Sequence, residues 1–154
     1  MRKLDQLDKK ILRTLQKNGR ISNKELAETV GLSATPCWQR VRKLEEDGFI
    51  GRCVAMLDAE KVGAPDIVLV ELSLEHNDED VRSAFEKAVH RIPNILEAHT
   101  ITGDFDYILK VAVSGTRGYQ RFLTERLYKI PGVQHTRASF SLKCSKRVQA
   151  YVPD

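Results

Sequence analysis

The stretch ISNKELAETVGLSATPCWQRVRKLEEDGFI, residues 21–50, decides the fold of the first third of the chain. It contains two helix starts in quick succession. Ser22-Asn23-Lys24-Glu25 is a capping box, in which the serine and glutamate side chains each accept a backbone N–H from the other residue. The helix it opens presents Leu26, Ala27 and Val30 before Gly31 stops it. One residue later Ser33 caps a further helix, with Pro36 tolerated in its first turn, that runs to Asp47 and ends at Gly48. Upstream, Leu4, Leu7, Ile11, Leu12 and Leu15 recur at helical spacing, so a first helix is expected from about Asp5, its cap, to Asn18 before Gly19. Downstream, Phe49–Leu57 reads as two short extended pieces bent at Gly51. Three helices and a small β-ribbon define a winged helix-turn-helix over residues 1–57.

Residues 58–66, with Gly63, Ala64 and Pro65, read as a linker. Beyond it the periodicity changes. Ile67–Leu74 is a strand by its β-branched content, and Val81, Phe85, Ala88, Val89 and Ile92 line one helical face. Strands are expected over Ile95–Thr102 and Asp106–Val113, around a tight turn at Gly103-Asp104-Phe105. Tyr119, Phe122, Leu123 and Leu127 mark another helix, and Val133–Leu142 a last strand. Arg91-Ile92-Pro93-Asn94-Ile95 and Lys129-Ile130-Pro131-Gly132-Val133 echo each other at an offset of 38 residues. In each, a helix ends, proline blocks its continuation, and a strand begins. The resulting β-α-β-β-α-β order is that of a ferredoxin-like sandwich over residues 67–154, with both helices on one face of an antiparallel sheet. The fold class is therefore α+β. The uncovered sheet face calls for a cover, and a second copy of the chain is the economical one.

Composition narrows the function classes. With 154 residues, 42% hydrophobic and 30% charged, the chain is expected to be globular rather than disordered. No apolar run approaches the roughly 20 residues that span a bilayer, so no membrane partner is expected. The start, MRKLDQLDKK, carries charges where an export signal would carry its apolar core. Cys37, Cys53 and Cys144 are odd in number and far apart, which fits a reducing, cytoplasmic setting. Of the net charge of +4, residues 1–60 hold +3, from 12 Lys and Arg against 9 Asp and Glu. That asymmetry is compatible with a polyanionic partner.

The helix from Ser33 to Asp47 carries the sharper signal. At about 100° per residue, Cys37, Val41 and Leu44 cluster on one side and face a core. Thr35, Gln39, Arg42 and Lys43 lie opposite, with Arg40 on the flank. Such a face suits the DNA major groove, where Arg pairs with guanine edges and Gln with adenine. Lys43, Arg52 in the ribbon, and the Ser22 and Ser33 hydroxyls suit phosphates, which position without specifying. Trp38 sits at the boundary of the apolar stripe, which favours packing over base contact.

With these residues in view, Ile21–Ile50 resembles the helix-turn-helix of the Lrp/AsnC family of feast/famine regulators. Leu4-Asp5-Gln6-Leu7-Asp8-Lys9-Lys10-Ile11-Leu12 resembles that family's opening helix, and Gly103-Asp104-Phe105-Asp106-Tyr107 and Pro131-Gly132-Val133 are also family-like. The tail Lys143–Tyr151 departs from it, lacking a Thr-rich ending. The resemblance implies a double-stranded DNA partner, a small amino-acid effector bound between dimers, and assembly into homodimers and an octamer or similar ring. It also implies that Thr102, Tyr107 and Thr136 contribute to the floor of the effector site. The turn is chemically compatible with this. Gly103 leaves backbone N–H groups approachable for a carboxylate, and Asp104 and Asp106 can receive an ammonium, with Phe105 between them. Equally, Gly-Asp-Phe-Asp is a plain hairpin turn, in which Gly and Asp recur for conformational reasons.

No cofactor, metal or catalytic site is expected. His76, His90, His99 and His135 are scattered without ligand spacing, and no nucleophile elbow, phosphate loop or H-E-x-x-H occurs. Two rival readings share the architecture. One is a siroheme-type tetrapyrrole decarboxylase, with His99, Arg137 and Arg121 as candidates. The other is an architectural DNA-binding protein with no effector.

Overall fold

In the computed structural model, residues 3–76, 78–148 and 150–153 are described. The chain divides into two compact units. One comprises the chain through Ala55 together with the tail from Ser145, and the other runs from Met56 to Cys144.

The first unit is built on α1 (Gln6–Lys17), α2 (Asn23–Val30) and α3 (Ala34–Glu46). Asp5 and Asp8 form a reciprocal capping box that starts α1, and Ser22 and Glu25 form another that starts α2. Gly31 adopts φ 81°, a left-handed conformation that only glycine takes without strain, and this turns the chain sharply from α2 toward α3. Ile11, Leu26, Ala27, Val30, Cys37 and Leu44 form the buried core, with Val41, Phe49 and Ile50 packed against it. Cys37 and Leu44 are wholly buried, as the angular spacing along α3 requires.

The expected ribbon after α3 does not form: residues 49–57 contain no strand. The backbone N–H groups of Phe49 and Ile50 instead return to the Leu44 carbonyl at 2.9 and 3.2 Å, closing off α3. The side chains of Val54, Met56 and Leu57 lie largely in solvent. An isolated two-stranded ribbon with no covered face is marginal in water, which accounts for the difference. Asp58 then organises a single turn, accepting the N–H groups of Glu60 and Lys61.

The second unit contains β1 (Asp66–Leu74), α4 (Glu79–Val89), β2 (Ile95–Thr100), β3 (Tyr107–Val113), α5 (Gly115–Glu125), a 3-10 turn (Leu127–Lys129) and β4 (Val133–Phe140). The strands form one antiparallel sheet in the order β2-β3-β1-β4. This is the β-α-β-β-α-β sandwich that the proline echo predicts. Val68, Val70, Leu72 and Leu74 of β1 and Tyr107, Leu109, Val111 and Val113 of β3 alternate onto one face, where Phe85 and Val89 of α4 and Phe122 of α5 cover them. On the opposite face stand Leu69, Glu71, Ile108 and Lys110, none of them fully buried.

Candidate functional site

Two regions collect the residues singled out by sequence. The first is the outer face of α3. Thr35, Gln39, Arg42 and Lys43 are all exposed. Asn23 helps to set this helix, its side-chain amide donating to the Ala34 carbonyl at 2.8 Å, so the first turns of α2 and α3 are tied together. Arg42 Nε donates to Glu46 Oε1 at 3.0 Å, one turn further on.

The structure gives different partners to other members of the expected set. Arg40 is drawn away from the outer face: its Nη1 reaches Asp5 at 2.6 Å and Asp8 at 2.8 Å. Asp8 is fully buried, so this guanidinium is the counter-charge to a carboxylate inside the helical core. A backbone N–H from Asp8, together with the Arg40 guanidinium, holds the Asp5 carboxyl below its ordinary range. The Ser22 hydroxyl is likewise committed to its capping box, donating to Glu25 at 2.8 Å and accepting the Glu25 N–H at 3.3 Å. Ser33 holds the cap position of α3, but its side chain makes no cap hydrogen bond. Arg52 is exposed on the segment that follows α3.

The second region is the loop between β2 and β3. Gly103 has φ 118°, and Thr102, Gly103 and Asp104 are exposed, with Phe105 and Asp106 half-buried. Asp106 anchors the loop to the end of β1. Its N–H donates to the Leu72 carbonyl at 2.9 Å, and its carboxylate accepts the Leu74 N–H at 2.8 Å. The Arg137 guanidinium from β4 lies 5.0 Å from the centre of the Phe105 ring and donates to Glu71 at 2.6 Å. Thr102 to Asp106 are thus brought together beside a cation.

Tyr107 and Thr136 are set apart from that cluster. Tyr107 is in the core, its ring 4.6 Å from that of Phe85 and its hydroxyl donating to Glu86 at 3.1 Å. Burial, reinforced by the Glu86 carboxylate, pushes its pKa up. The spacing Tyr107, Leu109, Val111, Val113 already assigns it to the helix-covered face. The Thr136 hydroxyl is hydrogen-bonded to that of Tyr128 at 3.0 Å. A groove of about 350 Å³ between α4 and β2 includes Tyr107 and Thr100 in its walls, but none of residues 102–106. Arg137 and Glu71 belong beside the loop and were legible only once the β1–β4 register was known.

The tetrapyrrole-enzyme candidates do not converge. His99 of β2 pairs in register with Ile108, and Arg137 with Glu71, on the uncovered side, whereas Arg121 sits on α5, which packs over the other side. Among the described residues no group of three or more His, Cys, Asp or Glu side chains is placed to hold a metal ion. No helix among them is long and apolar enough to cross a membrane.

A helix-turn-helix whose third helix exposes a polar face, followed by a four-stranded sandwich whose β2–β3 loop turns at Gly103, is an architecture suited to a DNA-binding regulator with a second domain. Residues 4–50 match the family model for a winged helix-turn-helix DNA-binding domain, and residues 67–151 match that for the Lrp/AsnC ligand binding domain. The chain belongs to the Lrp/AsnC family of transcriptional regulators. The leucine-responsive regulatory protein of Klebsiella pneumoniae is 46% identical over 134 residues, covering 87% of this chain and 82% of that protein. Among solved structures, a transcriptional regulator of Neisseria meningitidis in complex with L-Met superimposes with a TM-score of 0.91 at 34% identity, covering 97% of this chain and 96% of that one. An AsnC family regulator from Agrobacterium tumefaciens gives 0.90 at 35% identity, with 96% of each chain covered.

Proposed function

We infer that this regulator reads a specific DNA sequence through α3 and that a small amino acid, bound at the loop between β2 and β3, alters its assembly and so its DNA binding. The observation that carries the first half is the outer face of α3. Among the described residues, Thr35, Gln39 and Lys43 have no internal partner, and Arg42 is engaged only by Glu46 at its Nε and by the Trp38 ring at its guanidinium, both on the same helix. Gln39 and Arg42 are the base readers; Lys43, Ser33 and Arg52 address phosphates. Arg40 and Ser22 serve the fold of the unit that presents them.

The second half rests on the loop. Gly103 opens its backbone to a carboxylate, Asp104 supplies an anion for an ammonium, and Arg137 stands alongside as a cation. On one copy the loop is largely open, so the walls of the pocket come from a second copy. The bare sheet face, with Leu69 39% exposed at its centre, is the surface on which two copies pair, and such dimers assemble further into an octamer or a similar ring. Leucine responsiveness in one relative and an L-Met complex in another favour an L-amino acid with an apolar side chain. An effector that prefers one assembly over another by about 1–3 kcal/mol changes the spacing of helix pairs along DNA.

Arg42→Ala tests the reading face. Discrimination between a selected duplex and random DNA should fall by about 1–3 kcal/mol, with the fold intact. An equal loss on both duplexes would make Arg42 a phosphate contact and remove it from the base readers.

A further inference from the structure

Trp38, Arg42 and Glu46 are spaced four residues apart on α3 and so form one stripe along the helix. Trp38 is 50% exposed, although its unit buries Ile11, Cys37 and Leu44 completely. The Arg42 guanidinium carbon lies 5.4 Å from the centre of the indole ring, within cation–π range. On its other side, Nε is held by Glu46 at 3.0 Å. The guanidinium is therefore gripped at its face and at its Nε edge, while Nη1 and Nη2 have no partner among the described residues. Those two donors form the fork that matches the adjacent O6 and N7 acceptors of guanine.

We propose that Trp38 is a positioning residue for sequence recognition, holding the Arg42 fork in the orientation that a guanine edge requires. This rests on α3 being the DNA-reading helix. The indole removes side-chain freedom from Arg42 before DNA arrives, so less is lost on binding. Glu46 contributes in the opposite sense: its carboxylate repels phosphates, so the arrangement favours a matched base over unspecific attraction to the backbone. The stripe raises discrimination rather than overall affinity.

The test uses the full-length chain, a duplex selected by that chain from a randomised pool, and a scrambled duplex of the same composition. Trp38→Ala and Trp38→Leu are expected to lower the affinity ratio of selected to scrambled DNA by about two- to fivefold, the scale of an exposed cation–π contact, with little change on scrambled DNA. Trp38→Phe, which keeps an aromatic face, should recover much of the ratio. In an Arg42→Ala background, Trp38→Ala should have no further effect on it. Trp38 is the single tryptophan, so Arg42→Ala should also shift the emission of the free protein. Undiminished discrimination in Trp38→Leu, or a Trp38 effect that persists without Arg42, overturns the proposal while leaving α3 as the reader. Intact discrimination in Arg42→Ala overturns the proposal and removes Arg42 from the base readers, and intact discrimination in Gln39→Ala/Arg42→Ala overturns α3 as the reader as well.

Discussion

Arg40→Ala is expected to cost about 2–3 kcal/mol of stability and to weaken binding to every duplex alike. The reason lies in the first unit. Asp8 is 0% exposed, and the guanidinium 2.8 Å from its carboxylate is the positive charge that compensates it. Removing Arg40 takes a counter-charge away from a carboxylate inside the helical core, and it frees α3 from the start of α1, where Asp5 also holds the same nitrogen. Arg40→Lys should fall between, since an ammonium is a point charge that replaces a planar fork poorly. The double variant Asp8→Ala/Arg40→Ala should recover part of the loss, because the buried carboxylate that Arg40 serves is gone as well. A urea titration followed by helical circular dichroism measures all three. An unchanged midpoint in Arg40→Ala, with a loss of binding confined to the selected duplex, would return Arg40 to the base readers.

Phe85→Ala is expected to have the largest effect in the second unit, about 3–5 kcal/mol. Phe85 is wholly buried and joins α4 to β3 through its contact with Tyr107. Against a typical domain stability of about 5–15 kcal/mol, such a loss is roughly a fifth or more of the total. Loosening α4 also removes the setting of the Glu86 carboxylate, to which the Tyr107 hydroxyl donates. Phe85→Leu, which keeps most of the volume, should cost under about 1.5 kcal/mol. The amino-acid response should fail in Phe85→Ala and survive in Phe85→Leu. A loss below about 1 kcal/mol in Phe85→Ala would show that this ring does not hold the sandwich together, since cavities of that size cost several times more.

The parts of the fold that sequence revealed are those written locally. Asp5, Ser22 and Gly31 mark helix ends through groups three or four residues away, and the Pro93 and Pro131 turns mark strand starts in the same way. The sheet order followed because few topologies accept that element order. What sequence did not reveal depended on distant partners. Arg40 lies at the edge of the polar face of α3, and only its meeting with Asp5, 35 residues away, gives it a structural task. Ser22 is expected from sequence both to cap α2 and to meet phosphate, and the structure shows its hydroxyl engaged in the local capping box. Tyr107 was grouped with its neighbours in the loop, although the strand alternation beyond it turns its ring to the core. The stretch from Phe49 to Leu57 has strand-like composition, but beyond Phe49 and Ile50, which pack against the helical core, residues 51–57 are exposed. Trp38 lies at the edge of the apolar stripe, but it is half exposed and outside the core cluster, so the packing expected of it does not occur; its indole meets Arg42 instead, one turn along.

The reading of α3 as a sequence-specific helix under amino-acid control is tested most directly by one experiment. DNA bound by the full-length protein from a randomised pool is sequenced, with and without a mixture of L-amino acids, and the sedimentation of the protein is followed under both conditions. The predicted result is an enriched, two-fold related pair of half-sites, with a shift in both affinity and sedimentation when the amino acids are present. Recovered DNA without an enriched motif, or affinity and sedimentation that ignore every amino acid supplied, would contradict it.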